Sequence, residues 1–184
     1  MNLKRRLVCL ALTPALFFAQ AGDAESHIIA QALTQSFVQN TSFGLKMQAD
    51  FLKARGQRVS FNERKIQCLA KADYSSVVSV LSDAIGKQLS ETEQRSAANF
   101  LQSEAYEKST AARMQLAKKI IQSHAPPNPE TFLKQHLSNA DMAAISAFDN
   151  SSAGRKLHAL VQNKAKLQRI FAPVFERSAA NCGM

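Results

Sequence analysis

The chain has no tryptophan, two tyrosines and only six glycines in 184 residues. It has no C-x-x-C pair, no H-x-x-x-H, no H-E-x-x-H and no G-x-S-x-G. The missing ligand spacings argue against a zinc site, and the missing elbow removes the usual seat of a serine nucleophile. The four histidines, His27, His124, His136 and His158, stand apart from carboxylates at ligand spacing. A stripe such as Met142, Ile145 and Phe148 reads as core rather than as a cofactor box, so no cofactor is implied. Beyond residue 6 no run of Lys and Arg exceeds two, and no basic cluster carries stacking aromatics, which argues against nucleic acid as a partner. The net charge of +9 suits anionic surfaces such as lipid headgroups or wall polymers, but charge alone assigns no function.

What is present begins with an export signal. Lys4, Arg5 and Arg6 form a basic head, followed by the apolar stretch 7-LVCLALTPALFF-18 and the small-x-small pattern Ala19-Gln20-Ala21. That order predicts a signal peptide over 1–21 with cleavage after about Ala21. An uncleaved anchor is the alternative, but a span needs roughly 20 apolar residues and this run is shorter and interrupted by Pro14. The expected mature chain, 22–184, carries +6 once the basic head is gone and is long enough to form one domain with its own core. The expected location is the periplasm, with full secretion as the alternative, and no stable span remains after cleavage.

Cys9 leaves with the signal peptide, and Cys68 and Cys182 remain. An even pair in an oxidising compartment is most simply one disulfide, tying the C-terminal tail to an early helix. A thiol nucleophile or metal site is the alternative, and neither cysteine has a histidine within eight residues to support it.

The mature region reads as all-α, a compact bundle of about seven helices, because strict apolar alternation is absent. Ile29, Leu33 and Phe37 step by four, and a run through Leu45, Phe51 and Leu52 reaches Arg55 before Gly56 ends it. Ser60 with Glu63 reads as a capping box, Asp73 as the cap of a helix with Val77, Val80, Leu81 and Ile85 on its apolar stripe, and 90-SETE-93 as another box. Ser103 opens a run to Ile121 with Tyr106, Met114 and Ala117 on one side. Asn128-Pro129 reads as a cap with proline at the first helical position. Leu157, Leu160, Val161, Leu167 and Phe171 predict one last long helix that Pro173 kinks or ends.

Residues 89-LSETEQRSAANFLQSEAYEKS-109 align without a gap on 137-LSNADMAAISAFDNSSAGRKL-157. Leu89, Ser90, Phe100, Ser103, Ala105 and Lys108 match Leu137, Ser138, Phe148, Ser151, Ala153 and Lys156. Glu93 and Asp141 share the acidic capping-box position. The unit is a short capped helix, a tight turn and a second capped helix, an imperfect helical-hairpin repeat within about 84–175. Such a hairpin cannot bury its apolar face alone, so the copies should pack on each other and on the N-terminal helices. Leu137-Ser138, Asp141, Ile145, Phe148, Ser151, Gly154 and Lys156 resemble the signature of a bacterial exported family catalogued as domain of unknown function 2059. The resemblance implies an all-helical exported protein and brings no catalytic residues with it. Tyr106 in the glycine position of the first copy, and the late Pro173, depart from the pattern.

The segment 150-NSSAGRK-156 admits two readings. Ser151, Ser152, Gly154, Arg155 and Lys156 supply amides, hydroxyls and cations that an anion or partner would use at a helix start. The plainer reading, which we favour, is that a serine caps the helix and Gly154 permits close packing. The expected function is a non-enzymatic binding or interaction protein of the envelope, acting through a groove between the hairpins, with another envelope protein or an anionic envelope component as partner. An inhibitor or immunity protein is one version. The alternative is a small carboxylate-dependent hydrolase of cell wall or lipid using residues among Glu91, Glu93, Glu104 and Glu107.

Overall fold

The computed structural model describes the backbone of residues 15–122 and 125–184, with side chains from Asp23 onward. The signal-peptide reading therefore lies largely outside the described residues, as does His124. Nine helices and no strand occur among the described residues: α1 (Ala15–Ala54), α2 (Glu63–Ala70), α3 (Ser75–Gln88), α4 (Glu91–Leu101), α5 (Glu104–Gln122), α6 (Pro129–His136), α7 (Asn139–Asp149), α8 (Ser152–Gln162) and α9 (Lys164–Asn181). No helix among them is long and apolar enough to cross a membrane.

The described residues are thus all-α, with nine helices in place of about seven. The expected long final helix is divided at Asn163, whose ψ of 76° leaves the helical region while its side chain accepts the Lys166 amide and starts α9. Pro173 does not end that helix, which runs on to Asn181. Pro173 faces solvent, where water can serve the carbonyl that loses its donor. At α2 the cap is Asn62, which accepts the Lys65 amide at 3.1 Å, and not Ser60. The two apolar runs of the N-terminal region form one helix, α1, that ends where Gly56 takes a φ of 68°.

The core forms where α1 lies against α3 and α4. Ile29, Leu81 and Ile85 are fully buried there, and Val77 is nearly so. Their i, i+4 spacing gives each helix a single apolar stripe, and burying such side chains contributes about 1.5–3 kcal/mol each before the entropy of ordering them. Val80 falls off that stripe and is half exposed, as is Phe51 on α1. The small residues Ala97 and Ala98 let α4 approach α1 closely.

The two aligned segments fold alike. Adding 48 to Glu91, Leu101 and Glu104, the bounds of α4 and the start of α5, gives Asn139, Asp149 and Ser152, the bounds of α7 and the start of α8. Both first helices open on complete capping boxes, Ser90 with Glu93 and Ser138 with Asp141. At both turns a serine hydroxyl donates back to the aromatic carbonyl at 2.6 Å, Ser103 to Phe100 and Ser151 to Phe148. The hairpins pack reciprocally, α4 against α8 and α5 against α7. This is the exchange a local two-fold axis produces.

Cys68 and Cys182 are disulfide-bonded, with Cα atoms 5.8 Å apart and a sequence separation of 114. The bond fixes α2 to the end of α9, and the Lys65 amine on α2 also donates to the Gly183 carbonyl.

Candidate functional site

Where the hairpins meet, equivalent residues touch. The rings of Phe100 and Phe148 stack with centroids 4.0 Å apart and 9° between their planes. Tyr106 meets Phe100 edge-on at 5.7 Å. The polar rims cross over as well. The Lys156 amine lies 2.7 Å from Glu93 Oε2, and the Lys108 amine 3.7 Å from Asp141 Oδ2. Each lysine therefore reaches the capping-box carboxylate of the other copy.

This places the 150–156 residues. The Ser151 hydroxyl accepts the Gly154 amide at 2.9 Å, so Ser151 is the cap of α8. The Ser152 hydroxyl donates to Glu93 Oε1 at 2.6 Å, and Lys156 donates to Oε2. The Arg155 guanidinium donates to the Asn150 carbonyl. A β-carbon on Gly154 would lie 2.0 Å from the Phe148 carbonyl oxygen, so glycine is required for α8 to cross α7 this closely. The carboxylate that these hydroxyl and amine donors meet is the protein's own Glu93.

Glu93 is consequently held far below the ordinary carboxylate range. The Lys156 amine contributes most, followed by the Ser152 hydroxyl and the Ser90 amide, and its pKa falls to about 2. Asp141 is lowered too, first by the Ser138 hydroxyl and amide and then by Lys108. A carboxyl group so held stays ionised at neutral pH and makes a poor general acid. Among the other carboxylates considered for hydrolysis, Glu104 pairs with Lys108 on its own helix at 2.9 Å, while Glu91 and Glu107 are exposed. Among the described residues no three His, Cys, Asp or Glu side chains could hold a metal ion together.

Beside the stacked phenylalanines, α1, α5, α7 and α8 enclose a cleft of about 330 Å³. Its walls follow from helical spacing. Leu33, Ser36, Asn40 and Phe43 come from one face of α1, and Tyr106, Thr110, Arg113, Met114 and Ala117 from one face of α5. Ile145 and Asp149 come from α7, and Leu157, His158 and Val161 from α8. Asp149 is the one carboxylate on this lining among the described residues, and its Oδ1 lies 3.3 Å from His158 Nε2. Arg113, exposed at the rim, forms no ion pair among the described residues. The cleft is an apolar trough with a cation at its lip, and its size lies at the small end of the roughly 300–1,000 Å³ usual for ligand sites.

A wider and more open depression of about 990 Å³ lies across α1, α2 and α3, lined by Gln31, Gln35, Gln39 and Gln67. There the Thr34 and Ser42 hydroxyls are buried without a hydrogen-bond partner. The cleft residues Arg113 and His158 were not legible as site residues in the sequence. Only the side of α5 bearing Tyr106, Met114 and Ala117 pointed there. No family model, curated protein or solved structure matches this chain.

Proposed function

We propose that this protein is a non-enzymatic binding protein of the bacterial envelope, exported to the periplasm, that receives its partner in the cleft between the paired hairpins and α1. The observation that carries this reading is the cleft itself: an apolar floor built on the Phe100–Phe148 stack, with Arg113, which has no ion-pair partner among the described residues, at its rim. The engagement of Glu93 and Glu104 in caps and ion pairs supports binding over carboxylate-dependent hydrolysis. The disulfide suits an oxidising compartment, and the resemblance of 137–157 to the exported family named above suits a mature chain starting near Gly22. An inhibitor or immunity protein that buries a partner's apolar anchor in the cleft is the version with a macromolecular partner.

Site-specific photo-crosslinking in the native envelope tests the reading. A photoreactive residue at Thr110, on the cleft wall, is expected to give a discrete adduct. The same residue at the exposed Arg169 of α9 is expected to give none. Filling the cleft with Ala117→Phe should remove the Thr110 adduct. Equal labelling at both positions, or an adduct that survives the filled cleft, contradicts the proposal.

A further inference from the structure

The chemistry of the lining narrows what the cleft receives. This inference rests on the cleft being the binding site and adds the class of its ligand. The apolar part of the lining comes from Leu33, Phe43, Met114, Ile145 and Leu157, with Val161 at its exposed end. A trough of about 330 Å³ suits one flexible chain rather than a folded segment or a pair of acyl chains. Met114 adds an unbranched, polarisable wall that adapts to a chain of variable shape.

Ser36, Asn40, Ser109 and Thr110 add neutral polar groups to the lining, and its charged and titratable groups are Arg113, Asp149 and His158. Asp149 is engaged on one side by His158, 3.3 Å away. Arg113 stands on α5, one turn beyond Thr110, and has no ion-pair partner among the described residues. A guanidinium without a carboxylate partner, beside a hydroxyl and at the mouth of an apolar trough, is complementary to a small oxyanion on an alkyl tail.

We propose that the cleft binds a monomeric single-chain amphipath with an anionic head, the tail lying between α1, α5, α7 and α8 and the head on Arg113. A carboxylate or phosphate head satisfies the same donors. The cleft takes the free amphipath, and not a bilayer surface, because its apolar lining is recessed between helices.

Titration calorimetry with three ligands kept monomeric, below the micelle concentration for the two ions and below the solubility limit for the alcohol, tests this: decanoate, decyltrimethylammonium and decanol. Decanoate should bind about tenfold or more tightly than decanol, the gain expected of one charge-assisted contact, and the cation should bind weakest. Arg113→Gln, a change at an exposed position, should bring decanoate to the decanol level and leave decanol unchanged. Ala117→Phe should abolish both. Decyl phosphate as a fourth arm reports which head is preferred. Equal binding of decanol and decanoate, or no effect of Arg113→Gln, overturns the anionic-head assignment while binding blocked by Ala117→Phe would keep the cleft as the site. No binding of any amphipath overturns the ligand class, and a Thr110 adduct in the envelope would then leave the cleft reading standing with a different occupant. Co-sedimentation with phosphatidylglycerol vesicles that Arg113→Gln abolishes would assign a membrane surface instead and also overturn the proposal.

Discussion

The amine of Lys156 lies 2.7 Å from Oε2 of Glu93, the carboxylate that closes the capping box of α4. One helical hairpin thus stabilises the helix start of the other. The reverse contact, Lys108 to Asp141, is longer at 3.7 Å because Lys108 also serves Glu104. The shared wall between the copies, with the Phe100–Phe148 stack at its centre, is what the cleft is built upon.

That contact has a pH signature. Glu93 has its folded-state pKa lowered to about 2 from an ordinary 4.5, so the unfolded chain binds its proton first. The stabilisation is complete above about pH 4.5 and is lost as the pH falls towards 2. Glu93→Gln should lower the Tm at neutral pH and flatten the Tm profile between those limits, leaving the smaller slope due to Asp141 and other lowered carboxylates. Thermal melts monitored by circular dichroism across that range check it. A Glu93→Gln profile parallel to that of the parent chain would remove the contact from the stability of the fold.

Gly154 offers a test with an inverted sign. Gly→Ala inside a helix ordinarily gains up to about 1 kcal/mol from propensity. Here the added carbon would lie 2.0 Å from the Phe148 carbonyl oxygen, backbone that cannot turn aside. Gly154→Ala should therefore destabilise by an amount near the top of the roughly 1–3 kcal/mol seen for overpacking, with the Tm falling several degrees. Denaturant melts give the value directly, and a stabilised variant would mean that α7 and α8 are not this close.

The disulfide joins residues separated by 114 positions in sequence. Replacing Cys68 and Cys182 together by serine should cost about 2–5 kcal/mol and should loosen α2 and the end of α9 before the hairpins. Hydrogen exchange on the double variant reads the order of loss. Mass spectrometry of unreduced protein from an oxidising compartment should find Cys68 and Cys182 linked, and free thiols at both positions would contradict the pairing.

Local chemistry made much of this fold legible in the sequence. The capping boxes at Ser90 and Ser138, though not the one expected at Ser60, the serines at 103 and 151, the Asn128–Pro129 start and the all-helical class depend on neighbours a few residues away, and the structure has them. The hairpin alignment was visible because identical caps recur at one offset. What escaped depends on packing. Lys156 read as an anion-binding candidate, and Lys108 only as its match in the repeat, until α4 meets α8 and α5 meets α7. Arg113 and His158 gained meaning only when four helices enclosed them. The break at Asn163 was hidden by apolar spacing that continues across it, although an asparagine in that run is a cap signal in its own right.

The most direct measurement of the central claim is a methyl-resolved NMR titration of residues 22–184 with decanoate. Binding in the cleft predicts saturable shifts of the Leu33, Ile145, Leu157 and Val161 methyl groups, with Ile66 and Val38 in the wider depression unmoved. Shifts concentrated on Ile66 and Val38, or on Leu167 in the α1–α9 groove, or no saturable shift at all, would contradict the cleft as the binding site of this protein.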